Sequence, residues 1–289
     1  MTESPKISIL IPTYLRLEAL SKKIDELKKL SENYNLESIF VLEIEDNESY
    51  ELIEHSGLNK YKICYNYSKF GHFCFPTALK YASGNYIIHM GDDDYFEKEA
   101  LKHIYNAINN YPEANWLIGK GSYIDEKENK IRKTLTEVKY YLLKKFSFNF
   151  LSIANFVMTP SVIIKKDFLK SIGGFDTNYK HANDYYCWLK AAKKSKPIII
   201  TKNLSNVSFS TSTASGSFDL SRYAVYLKKI LQEQENKLIN FLQILSTFYL
   251  VSHNIIFKKI FNVYKLKINL DFFNKELEKS KNLNQIKIL

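Results

Sequence analysis

Ala82-Ser-Gly-Asn-Tyr-Ile-Ile-His-Met-Gly-Asp-Asp-Asp-Tyr95 (ASGNYIIHMGDDDY, residues 82–95) is the stretch on which the reading of the chain turns. Ser83-Gly84-Asn85 is a turn. Tyr86 to Met90 is a short apolar run bounded by turn residues, the pattern of a buried strand. Gly91 stops it, and three adjacent carboxylates follow, Asp92, Asp93 and Asp94. Neighbouring carboxylates repel one another, so they persist in a cleft only with compensation. A divalent cation supplies it: Mg²⁺ or Mn²⁺ takes oxygen ligands and shares its shell between one or two carboxylates and substrate phosphates. The plain alternative is a solvated acidic turn, and the triplet alone does not separate the two.

Working outward, residues 6–13 (KISILIPT) form a second apolar run ending in proline, again a buried strand. Leu17, Leu20, Ile24, Leu27 and Leu30 then recur at helical spacing, which predicts an amphipathic helix. Strands are expected at 38–44, 62–65, 161–164 and 197–201, and helices at 73–82, 97–110 and 183–194. Asn206 to Phe218 reads as a Ser/Thr-rich loop, and the chain from Leu220 onward as Lys-rich helix. Strands alternating with helices over the first 120 residues predict an α/β fold with a doubly wound, mainly parallel sheet, Rossmann-like in its first half. Ligands of such sheets bind beyond the carboxyl ends of the strands. That rule singles out the loops Pro12–Arg16, Asp46–Ser49 and Asp92–Asp94.

Composition excludes several classes. With 45% hydrophobic residues, 21 Tyr and 19 Phe, the 289-residue chain can bury a large core, and disorder is not expected. Cys64, Cys74 and Cys187 form no metal or CxxC pattern, so reduced thiols in a cytoplasmic protein are expected. The start of the chain lacks a basic segment followed by a long apolar core, so secretion is not expected. Phe241 to Phe257 is too short and too polar for a membrane span. The net charge is +10, of which +6 lies beyond residue 218, where 12 Lys+Arg face 6 Asp+Glu. Such a field suits an anionic membrane surface, nucleic acid or an anionic substrate, or is simply a solvated helical face.

The order of motifs resembles that of the family 2 glycosyltransferases, over roughly residues 6–210. ISILIPTYLR (7–16) is similar to the opening strand and the loop that contacts the nucleotide base. VLEIEDNES (41–49) is similar to the second strand and its terminal acid. Gly71 with Ala78, followed by ASGNYIIHMGDDDY, resembles the family's helix, turn, strand and DxD segment. GGFDTNYKHANDYYCWLK (173–190) is similar to the acceptor-side segment. The resemblance implies a GT-A fold over 1–218, with a nucleotide-sugar-binding half to about 120 and an acceptor-binding half to 218, followed by a basic helical extension, 219–289. It implies an inverting transfer from a nucleoside-diphosphate sugar, a UDP-sugar in the first instance, to a hydroxyl of a surface-glycan or lipid-linked acceptor. Asp46 would bind the base, Pro12, Thr13 and Tyr14 would line its pocket, and Arg16 would approach the diphosphate. Asp92 and Asp93 would serve the donor, and Asp94 with Asp92 would hold Mn²⁺ or Mg²⁺. Asp184 would be the general base, with helix capping as its competing role. Asp176 is a weaker candidate, better read as a turn residue.

Two features of the family are not seen. The Gln-x-x-Arg-Trp motif of processive synthases is absent from the sequence, so polymerisation is not expected, and no late His stands in NVSFSTSTASGS (206–217) to complete a metal shell. His72, His89 and His181 are the remaining candidates for that place. The competing readings are a sugar-phosphate nucleotidyltransferase and a non-catalytic nucleotide-sugar or carbohydrate-binding protein. Nucleic acid is not an expected partner. The inner face of the cell membrane is, through the basic extension.

Overall fold

The computed structural model of the chain describes residues 6–67, 74–209 and Ile230. Among these, the order is β1 (Ile7–Pro12), α1 (Leu17–Ser31), β2 (Leu36–Glu43), α2 (Asn47–Glu54), β3 (Tyr61–Asn66), α3 (Cys74–Tyr81), β4 (Tyr86–His89), β5 (Tyr95–Phe96), α4 (Ala100–Asn110) and β6 (Trp116–Ile124). There follow β7 (Lys130–Ile131), α5 (Lys133–Lys144), α6 (Phe148–Ile153), β8 (Val162–Lys165), α7 (Lys166–Ser171), α8 (Asn183–Lys194) and β9 (Ile198–Ser208). All the strands join one sheet in the order β3-β2-β1-β4-β8-β6-β9-β5, with β7 beside β6. The ladders β3-β2-β1-β4 and β6-β9 are parallel and long, whereas β8, β5 and β7 attach antiparallel through short ladders. The mainly parallel α/β architecture expected from the alternation is therefore present.

Both faces of the sheet are buried, as parallel sheets require. Along β1, Ile7, Ile9 and Ile11 enter one core with Leu20, Ile24 and Leu27 of α1 and Ile104 of α4. Leu10 points the other way, into a core with Trp116, Tyr185 and Trp188 beneath α3, α5 and α8. Ile230 packs into this second core. Cys64, Cys74 and Cys187 are free and buried.

The helices α5, α6 and α7 and the short strands β5 and β7 are unassigned in the sequence reading, and three further differences matter for the site. α4 begins at Ala100 rather than Glu97, because β5 and a left-handed Glu99 (φ 64°) precede it. β9 continues to Ser208, through residues read as the start of a loop. Pairing with β6 outweighs the polar local sequence there: Leu204 and Val207 are buried, and Ser205 shares a 2.6 Å hydroxyl bond with Ser161. β6 itself is unassigned in the sequence reading, since Gly119 and Gly121 interrupt its apolar run. Both glycines are required by close approach, as a Cβ at Gly119 would lie 2.2 Å from Leu204 and one at Gly121 2.8 Å from Met158. Gly71, His72, residues 210–218 of the expected loop, Phe241 to Phe257 and the extension 219–289, Ile230 apart, lie outside the described residues.

Candidate active site

β1 has β2 on one side and β4 on the other, so the chain reverses its direction of travel across the sheet between them. A crevice opens beyond the carboxyl ends of strands at such a point. The loop after β1 and the loop after β4 meet there. Thr13 donates its hydroxyl to Asp92 Oδ2 at 2.6 Å, and Arg16 donates Nη1 to Asp92 Oδ1 at 2.7 Å and Nη2 to Asp93 Oδ2 at 2.6 Å. The loop after β2 joins through the backbone. Asp46, 1% exposed, caps α2 by accepting the Ser49 N–H (3.1 Å) and accepts the Leu15 N–H (2.8 Å). Pro12 closes β1 opposite Val41, and Tyr14 is exposed at the rim.

Asp94 is held differently. Its carboxylate accepts the N–H of Gly91 (3.2 Å) and of Ser208 at the end of β9 (3.1 Å), and the Ser208 hydroxyl donates to the Asp93 carbonyl. A side chain at Gly91 would press on the carboxylates, with a Cβ 2.9 Å from Asp93 Oδ1 and 3.3 Å from Asp94 Oδ2. Beneath the loop lies Lys23 of α1, which donates to the Asp94 carbonyl. Burial pushes the Asp92 carboxyl up to about 6, against the opposing pull of Arg16 and Thr13. Burial, reinforced by the charge of Asp93, pushes Asp94 up to about 7, against Lys23 and the two N–H donors. Burial works against the charge of Arg16, but its bond to Asp93 and the neighbouring carboxylates hold it above its ordinary value.

A divalent cation fits this donor set in one particular way. Asp92 and Asp93 are tied to Arg16, and among the described residues no three His, Cys, Asp or Glu side chains converge into a ready cage. Each oxygen of Asp94 accepts one N–H, whereas an ionised carboxylate has about four acceptor positions. A cation would thus rest on Asp94, with Asp92 joining if Arg16 releases it, and draw its other ligands from phosphate and water, the ordinary manner of Mg²⁺. His89 is not placed to help: its ring packs against Phe75 and Phe175, and burial drives its pKa well below the usual histidine value. The side chain of His181 and all of His72 lie outside the described residues.

Asp184 belongs to a second network. It stands in the first turn of α8, where it accepts the Thr159 hydroxyl at 2.7 Å and its neighbour Tyr185 N–H at 2.6 Å. Burial raises its pKa, opposed by those donors and by the charge of Lys139. Lys139 of α5 in turn donates to the Tyr123 hydroxyl at 3.1 Å, at the end of β6. Asp176 accepts the Asn178 N–H at 2.9 Å, as a turn residue does. The structure therefore joins Thr13, Arg16, Asp92 and Asp93 directly, Asp46 through Leu15, and Asp94 through Ser208, while Asp184 is anchored apart.

Lys23, Thr159, Ser208, Tyr123 and Lys139 were not singled out from sequence. Lys23 did leave a signal, a cation on the apolar stripe Leu20–Ile24–Leu27. The others are brought in by long-range pairing and leave none.

The profile of the glycosyl transferase family 2 matches residues 8–173, more than half of the chain. The chain belongs to this family. An uncharacterized glycosyltransferase of Rickettsia typhi is 27% identical to this family 2 chain over 194 residues, 65% of the chain and 59% of that relative, so less than two thirds of the relative's length is spanned. Among solved structures, TarS of S. aureus in complex with UDP-GlcNAc superposes with a TM-score of 0.57 at 19% identity, covering 80% of this chain and 68% of that one. The mannosyltransferase PcManGT of Pyrobaculum calidifontis, in complex with GDP-Man and Mn²⁺, gives 0.59 at 16%, covering 85% and 69%. At these identities the likeness is one of fold, and that fold is GT-A.

Proposed function

We propose that this chain transfers a sugar, with inversion, from a nucleoside-diphosphate sugar to an acceptor hydroxyl. The observation that carries the reading is the meeting of the loops after β1 and β4 on the Asp92–Asp94 triplet, at the crevice where the sheet reverses. The base lies between Tyr14, Thr13 and Pro12, with Asp46 below it, and Arg16 turns from the carboxylates to the diphosphate. Asp94, joined by Asp92, holds Mn²⁺ or Mg²⁺, and the ion when bound neutralises the charge that builds on the diphosphate as it leaves. Asp184 takes the acceptor hydroxyl's proton as its oxygen bonds to the anomeric carbon, and the bond from that carbon to the diphosphate oxygen breaks on the opposite face. Burial serves Asp184 here, because a raised pKa makes it a stronger base than a solvated aspartate.

A uridine diphosphate sugar is the proposed donor, and a surface-glycan or lipid-linked hydroxyl the acceptor, met at the inner face of the cell membrane. The UDP-GlcNAc and GDP-Man held by the two structural neighbours accord with a nucleotide-sugar donor. Among the described residues no helix is long and apolar enough to cross a membrane, so contact there would fall to the basic extension.

Transfer measured with Asp184→Asn and Asp94→Ala tests the assignment. Loss of the base should slow transfer about 10²–10⁴-fold with the fold intact. Near-normal transfer in either folded variant removes that residue from its role.

A further inference from the structure

Under the triplet lies an ion pair to which the proposed reaction gives no role. Lys23 occupies the apolar stripe of α1, between Leu20 and Ile24, and its side chain is 0% exposed. An apolar residue would fill this position without penalty, whereas a buried ammonium is tolerated only when paired and hydrogen-bonded. Lys23 has such partners: Glu26 Oε2 at 2.6 Å, Met90 Sδ at 3.3 Å and the carbonyl of Asp94. The other oxygen of Glu26 accepts the N–H of Phe96 at 2.7 Å. The pair thus grips the main chain on both sides of Tyr95, whose ring lies 5.0 Å from the ammonium.

The carbonyl gripped by Lys23 and the carboxylate facing the crevice belong to the same residue. Arg16, the N-cap residue just before α1 and seven positions before Lys23, binds the other two carboxylates of the triplet. α1 and the residue that caps it therefore hold the acidic loop both through side chains and through the backbone.

We propose that Lys23 and Glu26 are positioning residues for Asp94, holding residues 94–96 so that the Asp94 carboxylate is presented to a divalent cation. The proposal rests on the reading of Asp94 as the cation's ligand. Loss of partners that orient a metal ligand typically weakens metal binding about 10–100-fold.

The test titrates Mn²⁺ calorimetrically into the full chain at saturating UDP, for Lys23→Met, Glu26→Asp and Asp94→Ala, with thermal unfolding as the check on folding. Glu26→Asp keeps the charge but cannot reach both partners, and it decides the matter should Lys23→Met fail to fold. Mn²⁺ affinity is expected to drop about 10–100-fold in both clamp variants, with UDP binding in the absence of metal unchanged. A merely structural pair would lower the unfolding temperature and leave Mn²⁺ affinity intact, and that result overturns the proposal. Unchanged Mn²⁺ affinity in Asp94→Ala would instead sink the underlying reading of the site.

Discussion

Asp94 and Asp92 are buried carboxylates whose ordinary value near 3.8 is raised to about 7 and about 6. In the metal-free protein the folded state therefore binds protons, from about pH 4 to 7, that the unfolded chain has released. Their contribution to stability falls as pH rises through that window. A cation must displace the same protons, so its affinity moves oppositely. Mn²⁺ titrated calorimetrically without nucleotide should bind about tenfold or more tightly at pH 8 than at pH 5.5, and a flat profile would contradict the assignment. The candidate residues were legible singly, because carboxylates after an apolar strand stand out in a sequence. Their partners were not: Thr13 and Arg16 reach Asp92 across 79 and 76 positions, and no local pattern encodes such a pair.

The parallel strands of the first half are tied at their amino ends by one residue. Glu37 of β2, 3% exposed, accepts the hydroxyl of Ser8 on β1 (2.6 Å) and the N–H and hydroxyl of Ser83 before β4 (2.9 and 2.8 Å), and pairs with Lys62 of β3 at 2.9 Å. Burial opposes its charge, but these donors prevail and hold it at about 2, below the ordinary 4.5. The stabilisation is complete above pH 4.5 and is lost as pH falls from there toward 2. Glu37→Gln should cost about 1.5–3 kcal/mol at pH 7, read by denaturant unfolding, and the gap to the parent should narrow as pH drops from 4.5 toward 2. A gap independent of pH would show that the charge is not what matters. At this scale the sequence is most readable where period and punctuation agree, as in YIIHM before Gly91. It is least readable in β6, where Gly119 serves a contact with Leu204, 85 positions away and on another strand.

The whole molecule is organised by the order β3-β2-β1-β4, which places the loops after β1, β2 and β4 around one crevice. In such a sheet the ligand crevice lies beyond the carboxyl ends of the strands where the order reverses, so alternation alone pointed to these loops as the candidate site. The second half was less legible, since β8 runs antiparallel to both β4 and β6 while β6 and β9 are parallel, and their partners are distant in the chain. The crevice has a chemical consequence. If Asp94 grips a cation that grips a diphosphate, nucleotide and metal must strengthen one another's binding by the same factor. Calorimetric titration of Mn²⁺ with and without UDP, in the parent chain and in Asp94→Ala, measures that factor directly. UDP should tighten Mn²⁺ binding in the parent about 5–150-fold, and the enhancement should vanish in Asp94→Ala. Mn²⁺ binding that ignores UDP in the parent, or an enhancement that survives the loss of Asp94, would contradict the account.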